Sequence, residues 1–398
     1  MPCRLHGLKC FICRYSCIFA TELVFDRELK KVIISVINDL ATDRRVDRTA
    51  KVLQYAGFEV LLVGRRKKDS NRLPERAYET YRMRLLWERG FLFYAEFNIR
   101  LFFFLLGNKA NLLFSNDLDT ALPNLLIATL KRIPVIFDSH EYFTETPEVV
   151  NRPFVKKVWS IIETIIVRNA DDCITVNNSI AALFLEKYKR KFNVIRNISG
   201  ELTQVQAGDF KPDLPENTDF IILQGAGINI QRGAEEAVLS MKYVDKAKLL
   251  IVGGGDVLDS LKELVISNNL EEKVIFIPRQ TPEMLRAYTS ICKIGLSLDK
   301  DTNLNYHYSL PNKIFDYIHA GIPVLASPLP EIKYIIETFN LGSFISNHEP
   351  EHIAACINAM LDEKKQAEWR KNCKTAANEL NWKNESLKLK AIVEKYAG

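Results

Sequence analysis

Ser309, Asn312, Lys313 and Asp316 crowd the start of SLPNKIFDYIHAGIPVLAS, where Ile314, Tyr317, Ile318 and Ala320 recur at helical spacing. Gly321 and Pro323 end that helix, and Val324-Leu325-Ala326 reads as a buried strand. An ammonium and amides at a helix start suit an anion such as a phosphate, above all on a loop leaving the carboxyl end of a strand, here residues 294–298. Capping and solvation alone would account for the same residues. Other loops must decide.

Two loops point the same way. Gly225, Gly227 and Gly233 bracket GAGINIQRG, with Arg232 at a helix entrance, and Gly253-Gly254-Gly255 follows the apolar run LLIV. Glycines let the backbone approach a phosphate, and arginine offers forked donors. Each loop is weak alone. With Lys313 they place three phosphate-compatible elements on one edge of one sheet, which favours a nucleotide site. Elsewhere, DSHEYFTETP puts His140 and Glu141 after a buried strand, where a histidine would orient a hydroxyl or contact a sugar; a histidine held within its own loop is the plainer reading. In SNDLDT, Asp117 and Asp119 fit helix capping better than metal ligation.

The elements that carry these loops alternate regularly. Apolar runs at 32–38, 59–64, 111–115, 134–139, 172–177 and 193–197 read as strands separated by helical patterns such as 45–55 and 153–168. Residues 199–217 lose this periodicity, and runs at 219–225, 248–255, 273–278, 293–298, 323–327 and 342–346 restart it. Strands alternating with helices predict α/β domains with doubly wound parallel sheets, facing each other across a cleft. The expected division is 1–29 unassigned, 30–200 a first Rossmann-like domain, 201–217 a linker, 218–378 a second such domain, and 379–398 a closing helix. A chain of 398 residues fits two domains.

The formal charge of +5 over the whole chain gives no case for nucleic-acid binding. Residues 65–89 hold nine basic and four acidic side chains, a surplus equal to that of the entire chain. They lead into FLFYAEFNIRLFFFLL, which reads as too short and too polar to cross a bilayer, but suits the surface of an anionic membrane. Cys173, Cys292, Cys356 and Cys373 sit in apolar patterns and read as reduced core residues of a cytoplasmic protein. Cys10-x-x-Cys13 has a ligand spacing, but no second pair follows it, so no metal is expected.

The order of NDLATDRRV, DSHEYFTE, VNNS, IQRG, LLIVGGG, SLPNKIFDYIHAGIPVLAS and Pro330-Glu331-Ile332 resembles that of B-type glycosyltransferases, in particular the retaining group 1 and family 4 type that builds bacterial surface polysaccharides. The resemblance implies a nucleotide-sugar donor, UDP- or GDP-linked, on the second domain, with Gly225, Gly227, Gly254, Ser309, Asn312 and Asp316 around it and Asp316 on the ribose. It implies that His140, Arg232 and Lys313 serve the chemistry and that Asn38, Asp39, Asp117 and Glu141 face a glycan or lipid-linked acceptor. It further implies retention of anomeric configuration, no required cofactor or metal, and a final helix crossing back to the first domain; with the basic, aromatic stretch, a cytoplasmic enzyme working at the inner face of the plasma membrane is expected. Two positions depart from the family pattern: Tyr308 stands where a first acid is usual, and Ala226 where many relatives carry an arginine. A sugar-nucleotide 2-epimerase of the same architecture, and a catalytically silent sugar-nucleotide-binding scaffold, are the competing expectations.

Overall fold

A computed structural model describes residues 29–41, 43–68, 70, 72–199, 212–225 and 227–397. The paired cysteines near the N-terminus and Ala226 lie outside the described residues. The chain forms two all-parallel sheets. The first contains β1 (Lys31–Asp39), β2 (Glu59–Arg66), β3 (Glu79–Arg84), β4 (Leu112–Asn116), β5 (Val135–Ser139), β6 (Asp172–Thr175) and β7 (Asn193–Val194), in the spatial order β3-β2-β1-β4-β5-β6-β7. The second contains β8 (Asp219–Gly225), β9 (Ala247–Gly253), β10 (Val274–Ile277), β11 (Ile294–Ser297), β12 (Val324–Ala326) and β13 (Gly342–Phe344), in the order β10-β9-β8-β11-β12-β13.

Central strands such as Val32-Ile33-Ile34 and Leu249-Leu250-Ile251 are apolar at every position because helices cover both sheet faces. Each sheet accordingly has two apolar layers, one per face. Strand order reverses between β1 and β4 in the first sheet and between β8 and β11 in the second. Loops leaving those strands part there, and the crevice at their carboxyl ends receives ligands. This two-domain architecture is the GT-B fold.

Residues 79–84, which the sequence marks only as part of a basic stretch, form an edge strand: Tyr81 and Met83 alternate with charged neighbours, and the basic surplus masks the period of two. Arg65, from the same basic stretch, lies with its guanidinium 4.5 Å from the Phe93 ring centroid. The helix Gly90–Gly107 is, among the described residues, the one long and apolar enough to cross a membrane by length and composition. Its seat argues otherwise, since Phe93, Phe97, Leu101 and Leu105, one per turn, are buried against the first sheet. The Glu96 carboxylate beside them accepts from the Leu86 and Trp87 amides at 2.8 and 3.1 Å.

The last helix, Trp382–Ala397, leaves the second domain and packs on the first sheet. Leu389, Ile392 and Val393 enter the layer formed by Val32, Ile34 and Leu62. The buried Glu385 accepts from the Arg196 amide at 2.9 Å, and Tyr396 Oη donates to Asp172 at 2.6 Å.

Candidate functional site

Asp299, fully buried just past the end of β11, organises the second domain's edge. Its Oδ1 lies 2.7 Å from Arg232 Nη1, and its Oδ2 lies 3.1 Å from Lys313 Nζ and accepts from Ser297 Oγ at 2.9 Å. Burial opposes its charge, but Lys313 and Arg232 overcome that and hold the pKa down to about 2. Arg232 also stands over the Tyr306 ring, 4.1 Å from its centroid. One carboxylate thus positions two cations, leaving one positive charge in excess at the mouth of the sheet. Sequence reasoning found both cations and missed the acid between them. The signal was a carboxylate directly after the apolar run GLSL, at the strand next to the switch.

Glycines shape the neighbouring loops for a packing reason. Gly233 has φ 74°, and a Cβ there would run into the Leu298 carbonyl oxygen; Gly253 has φ 140° and backs onto the Gly225 carbonyl in the same way. Gly254 ties the loops together, with its amide donating to Gly225 O at 3.4 Å and its carbonyl accepting from Ile228 N at 3.0 Å. Gly227 follows β8 in the loop that leads to Arg232.

The helix Asn312–Ala320 supplies the remaining groups. Asn312 is exposed at its first turn. Asp316 is occupied rather than open: Ser199 Oγ donates to it at 2.6 Å and Gln224 Nε2 at 3.1 Å. Burial raises its pKa, and these two donors work against that rise. Ser309 Oγ is buried without a hydrogen-bond partner. Tyr308 packs against the first domain's apolar layer, and its carbonyl accepts from Asn177 Nδ2 at 2.7 Å. At the position expected for an acid, this chain therefore builds a domain contact.

On the first domain, His140 is locked between two carboxylates. Its Nδ1 lies 3.1 Å from Asp117 Oδ2 and its Nε2 lies 3.2 Å from Asp138 Oδ2. Asp138 is in turn gripped by Arg45, whose Nη2 reaches both carboxylate oxygens at 2.7 and 3.0 Å. Burial disfavours the imidazolium, but Asp117 and Asp138 outweigh it and push the pKa up to about 10. Both ring nitrogens donate, so His140 has no lone pair with which to take a proton. Asp117 holds the N-cap position of the helix Leu118–Lys131 without a side-chain cap bond, because its oxygens serve His140 instead. Asn38 is exposed and donates to Asp43 at 3.0 Å, and Asp39 accepts from Ala41 N at 3.1 Å and from Ser70 Oγ.

A pH dependence follows from the His140 pairing. A group whose folded pKa is raised contributes stability that is complete below its unfolded value, about 6.5, and is lost as pH rises through the folded value. Thermal stability should therefore decline from about pH 6.5 towards pH 10, where the paired imidazolium titrates. His140→Gln should flatten that part of a melting-temperature profile; an unchanged slope would show that the pairing contributes nothing.

The two edges meet. Asn305 Oδ1 accepts from Tyr142 N at 3.0 Å while its Nδ2 donates to Glu141 Oε2 at 3.1 Å, and Glu331 Oε1 accepts from Ser179 N at 2.6 Å. Beside Arg232, a cavity of about 310 Å³ lies between Glu145 and Asn151 of the first domain and Gln231, Thr302 and Asn303 of the second. The arrangement gathers Arg232, Lys313, the glycine loops and Ser309 on one side of the cleft, and His140, Asp117 and Glu141 on the other. Asn38 and Asp39 sit further along the first edge, engaged with their own loop.

Two parallel-sheet domains whose carboxyl edges face each other, with paired cations on one, define the GT-B class. Residues 206–379 match the family model for glycosyl transferases group 1, and residues 42–198 match that for glycosyltransferase family 4. The two matches leave outside only the ends and a short junction, and the chain is a glycosyltransferase of the group 1 type. Among solved structures it resembles a sucrose-phosphate synthase from Thermosynechococcus elongatus, at 16% identity over 92% of this chain and 98% of that one, with a TM-score of 0.73. It also resembles WaaG, a glycosyltransferase involved in lipopolysaccharide biosynthesis, at 12% identity over 91% and 99% of the two chains, with a TM-score of 0.69. HepE of Anabaena, solved with UDP and glucose, is 12% identical over 92% of this chain and all of its own, with a TM-score of 0.67. At these identities the likeness is one of fold. No curated protein matches the chain significantly.

Proposed function

We propose that the chain transfers a sugar from a UDP- or GDP-sugar to a glycan or lipid-linked glycan, with retention of configuration and without a required metal. The observation that carries this reading is the convergence of Arg232 and Lys313 on Asp299 at the β8–β11 crevice, beside glycine loops. A leaving nucleoside diphosphate gains negative charge as the glycosidic bond breaks, and fixed cations in a dry edge stabilise that charge where it develops. His140, with both nitrogens donating to carboxylates, does not deprotonate the acceptor and instead places a held positive charge at the acceptor edge. The acceptor proton then passes to the departing phosphate oxygen, on the face from which the acceptor attacks.

The decisive experiment is thermal stabilisation by UDP-, GDP-, ADP-, CMP- and dTDP-sugars. UDP- or GDP-sugars should raise the melting temperature. If no nucleotide sugar stabilises the protein, the donor assignment fails; if one stabilises it but no sugar is transferred, the silent sugar-nucleotide-binding scaffold takes its place.

We further propose that the enzyme is cytoplasmic and works at the inner face of the plasma membrane. Support comes from three adjoining helices of the first domain, Gly90–Gly107, Leu118–Lys131 and Pro153–Asn169, which leave Phe91, Ile99, Phe103, Leu130, Phe154 and Ile161 exposed. Arg89, Lys109, Arg132, Lys157 and Arg168 are exposed on or beside the same helices, and such a face suits anionic lipid. The triple variant Phe91→Ser, Phe103→Ser, Phe154→Ser should sediment with phosphatidylglycerol vesicles several-fold less than the parent protein. Equal sedimentation at low salt would refute the membrane assignment.

A further inference from the structure

The cavity of about 310 Å³ between the domains stands beside the reactive residues without including them, since Arg232, Lys313, His140 and Glu141 do not line it. Its polar walls are Glu145 and Asn151 on the first domain and Gln231, Thr302 and Asn303 on the second; Pro147, Val150 and Leu304 complete the lining with carbon. The spacing of the walls is pinned. Asn305, two residues past Asn303 and 6% exposed, bonds the Tyr142 amide and the Glu141 carboxylate across the gap at 3.0 and 3.1 Å. The second-domain wall is a run of hydrogen bonds: Asn303 Nδ2 donates to Thr302 Oγ1 at 3.3 Å, and that hydroxyl donates to Gln231 Oε1 at 2.6 Å. Gln231 has φ 67°, a left-handed backbone that a residue other than glycine keeps only where its surroundings enforce it, and its carbonyl accepts from the Lys300 amide at 2.9 Å. Among the described residues, neither Gln231 Nε2 nor the Asn151 side chain has a hydrogen-bond partner. Glu145 is paired, with Lys156 Nζ at 2.6 Å.

We propose that this cavity takes one uncharged sugar residue of the acceptor, next to the residue that reacts, so that the acceptor is a glycan of two residues or more. The inference rests on the glycosyl-transfer reading and names the acceptor class within it. A sugar hydroxyl both donates and accepts, and the walls offer both: amide N–H groups of Gln231 and Asn303 on one side, the Glu145 carboxylate and the Asn151 amide on the other. The carbon face of a pyranose ring meets Pro147, Val150 and Leu304. Small-molecule sites span about 300–1,000 Å³, and a volume at the lower end of that range holds one ring rather than a chain. No cation is among the residues lining the cavity, and its one acid already has Lys156, so a carboxylate or phosphate would be desolvated there without a partner. The donor's own sugar is joined to the diphosphate that Arg232 and Lys313 hold, and a cavity that neither cation lines is left for the acceptor.

The test uses methyl glycosides of glucose, galactose, mannose and N-acetylglucosamine, with affinities read by saturation-transfer NMR on the full chain, with and without saturating UDP or GDP. At least one glycoside should bind, and the nucleotide should not displace it. Asn151→Trp, at an exposed position, should fill the cavity and weaken that glycoside tenfold or more, while the melting-temperature shift given by UDP- or GDP-sugar persists. Thr302→Val breaks the run from Asn303 to Gln231 with little change of shape; it should weaken the glycoside several-fold, and it serves as the second variant if Asn151→Trp does not fold. Displacement by nucleotide would assign the cavity to the donor's sugar. That result, no glycoside bound by the parent protein, or variants that bind like the parent would each overturn the proposal. Failure of every nucleotide sugar to stabilise the parent protein is a separate result that sinks the donor assignment, whereas the cavity is judged by the glycosides alone.

Discussion

Lys313→Ala is expected to lower turnover by about 10²–10³-fold, the scale seen when one fixed donor to developing charge is removed. Stabilisation by UDP- or GDP-sugars should be lost with it. The fold should tolerate the change, because Asp299 keeps Arg232 at 2.7 Å and Ser297 as partners. Arg232→Ala should repeat the effect through the other oxygen of the same acid. The double variant should lose less than the product of the single losses, since the two cations act on one diphosphate as a unit. A Lys313→Ala protein with full turnover would remove the lysine from the chemistry and leave Arg232 as the cation to test.

The second large effect concerns stability. Asp138→Ala removes the partner of both Arg45, 5% exposed, and His140. Breaking a buried pair from one side costs about 3–5 kcal/mol, because the remaining charge is left without compensation. The urea midpoint of the first domain should fall accordingly, and Arg45→Met in the same background should restore part of the loss by removing the stranded cation. A loss of unfolding free energy below about 1 kcal/mol, a typical surface value, would show that water reaches Arg45 in the folded protein.

The strands were legible because parallel strands covered on both faces read as unbroken apolar runs, as Phe220–Leu223 does within β8. The edge strand Glu79–Arg84 was not, because its alternating Tyr81 and Met83 were hidden among arginines. Lys313 and Arg232 stood out as cations beside glycines. Asp299 did not, because the sequence cannot show that one buried acid lies between two residues separated by 81 positions. His140 was identified as a cleft residue, but its role depended on Asp117 and Asp138 approaching from either side. Only tertiary placement makes it a held imidazolium rather than a base. Likewise, a positive φ of 58° at Asp117 turns its carboxylate away from the helix it was expected to cap.

The returning helix Trp382–Ala397 carries a consequence for the order of assembly. One apolar layer of the first domain is completed by Leu389, Ile392 and Val393, and the amide of Arg196 and the carboxylate of Asp172 find their partners on the same helix. During synthesis the first domain emerges with that layer open and the edge of its sheet uncovered, and it stays so until the second domain has been made. The ribosome therefore releases a half-finished domain, whose exposed layer is a surface for chaperones to hold until the last turns of the chain arrive.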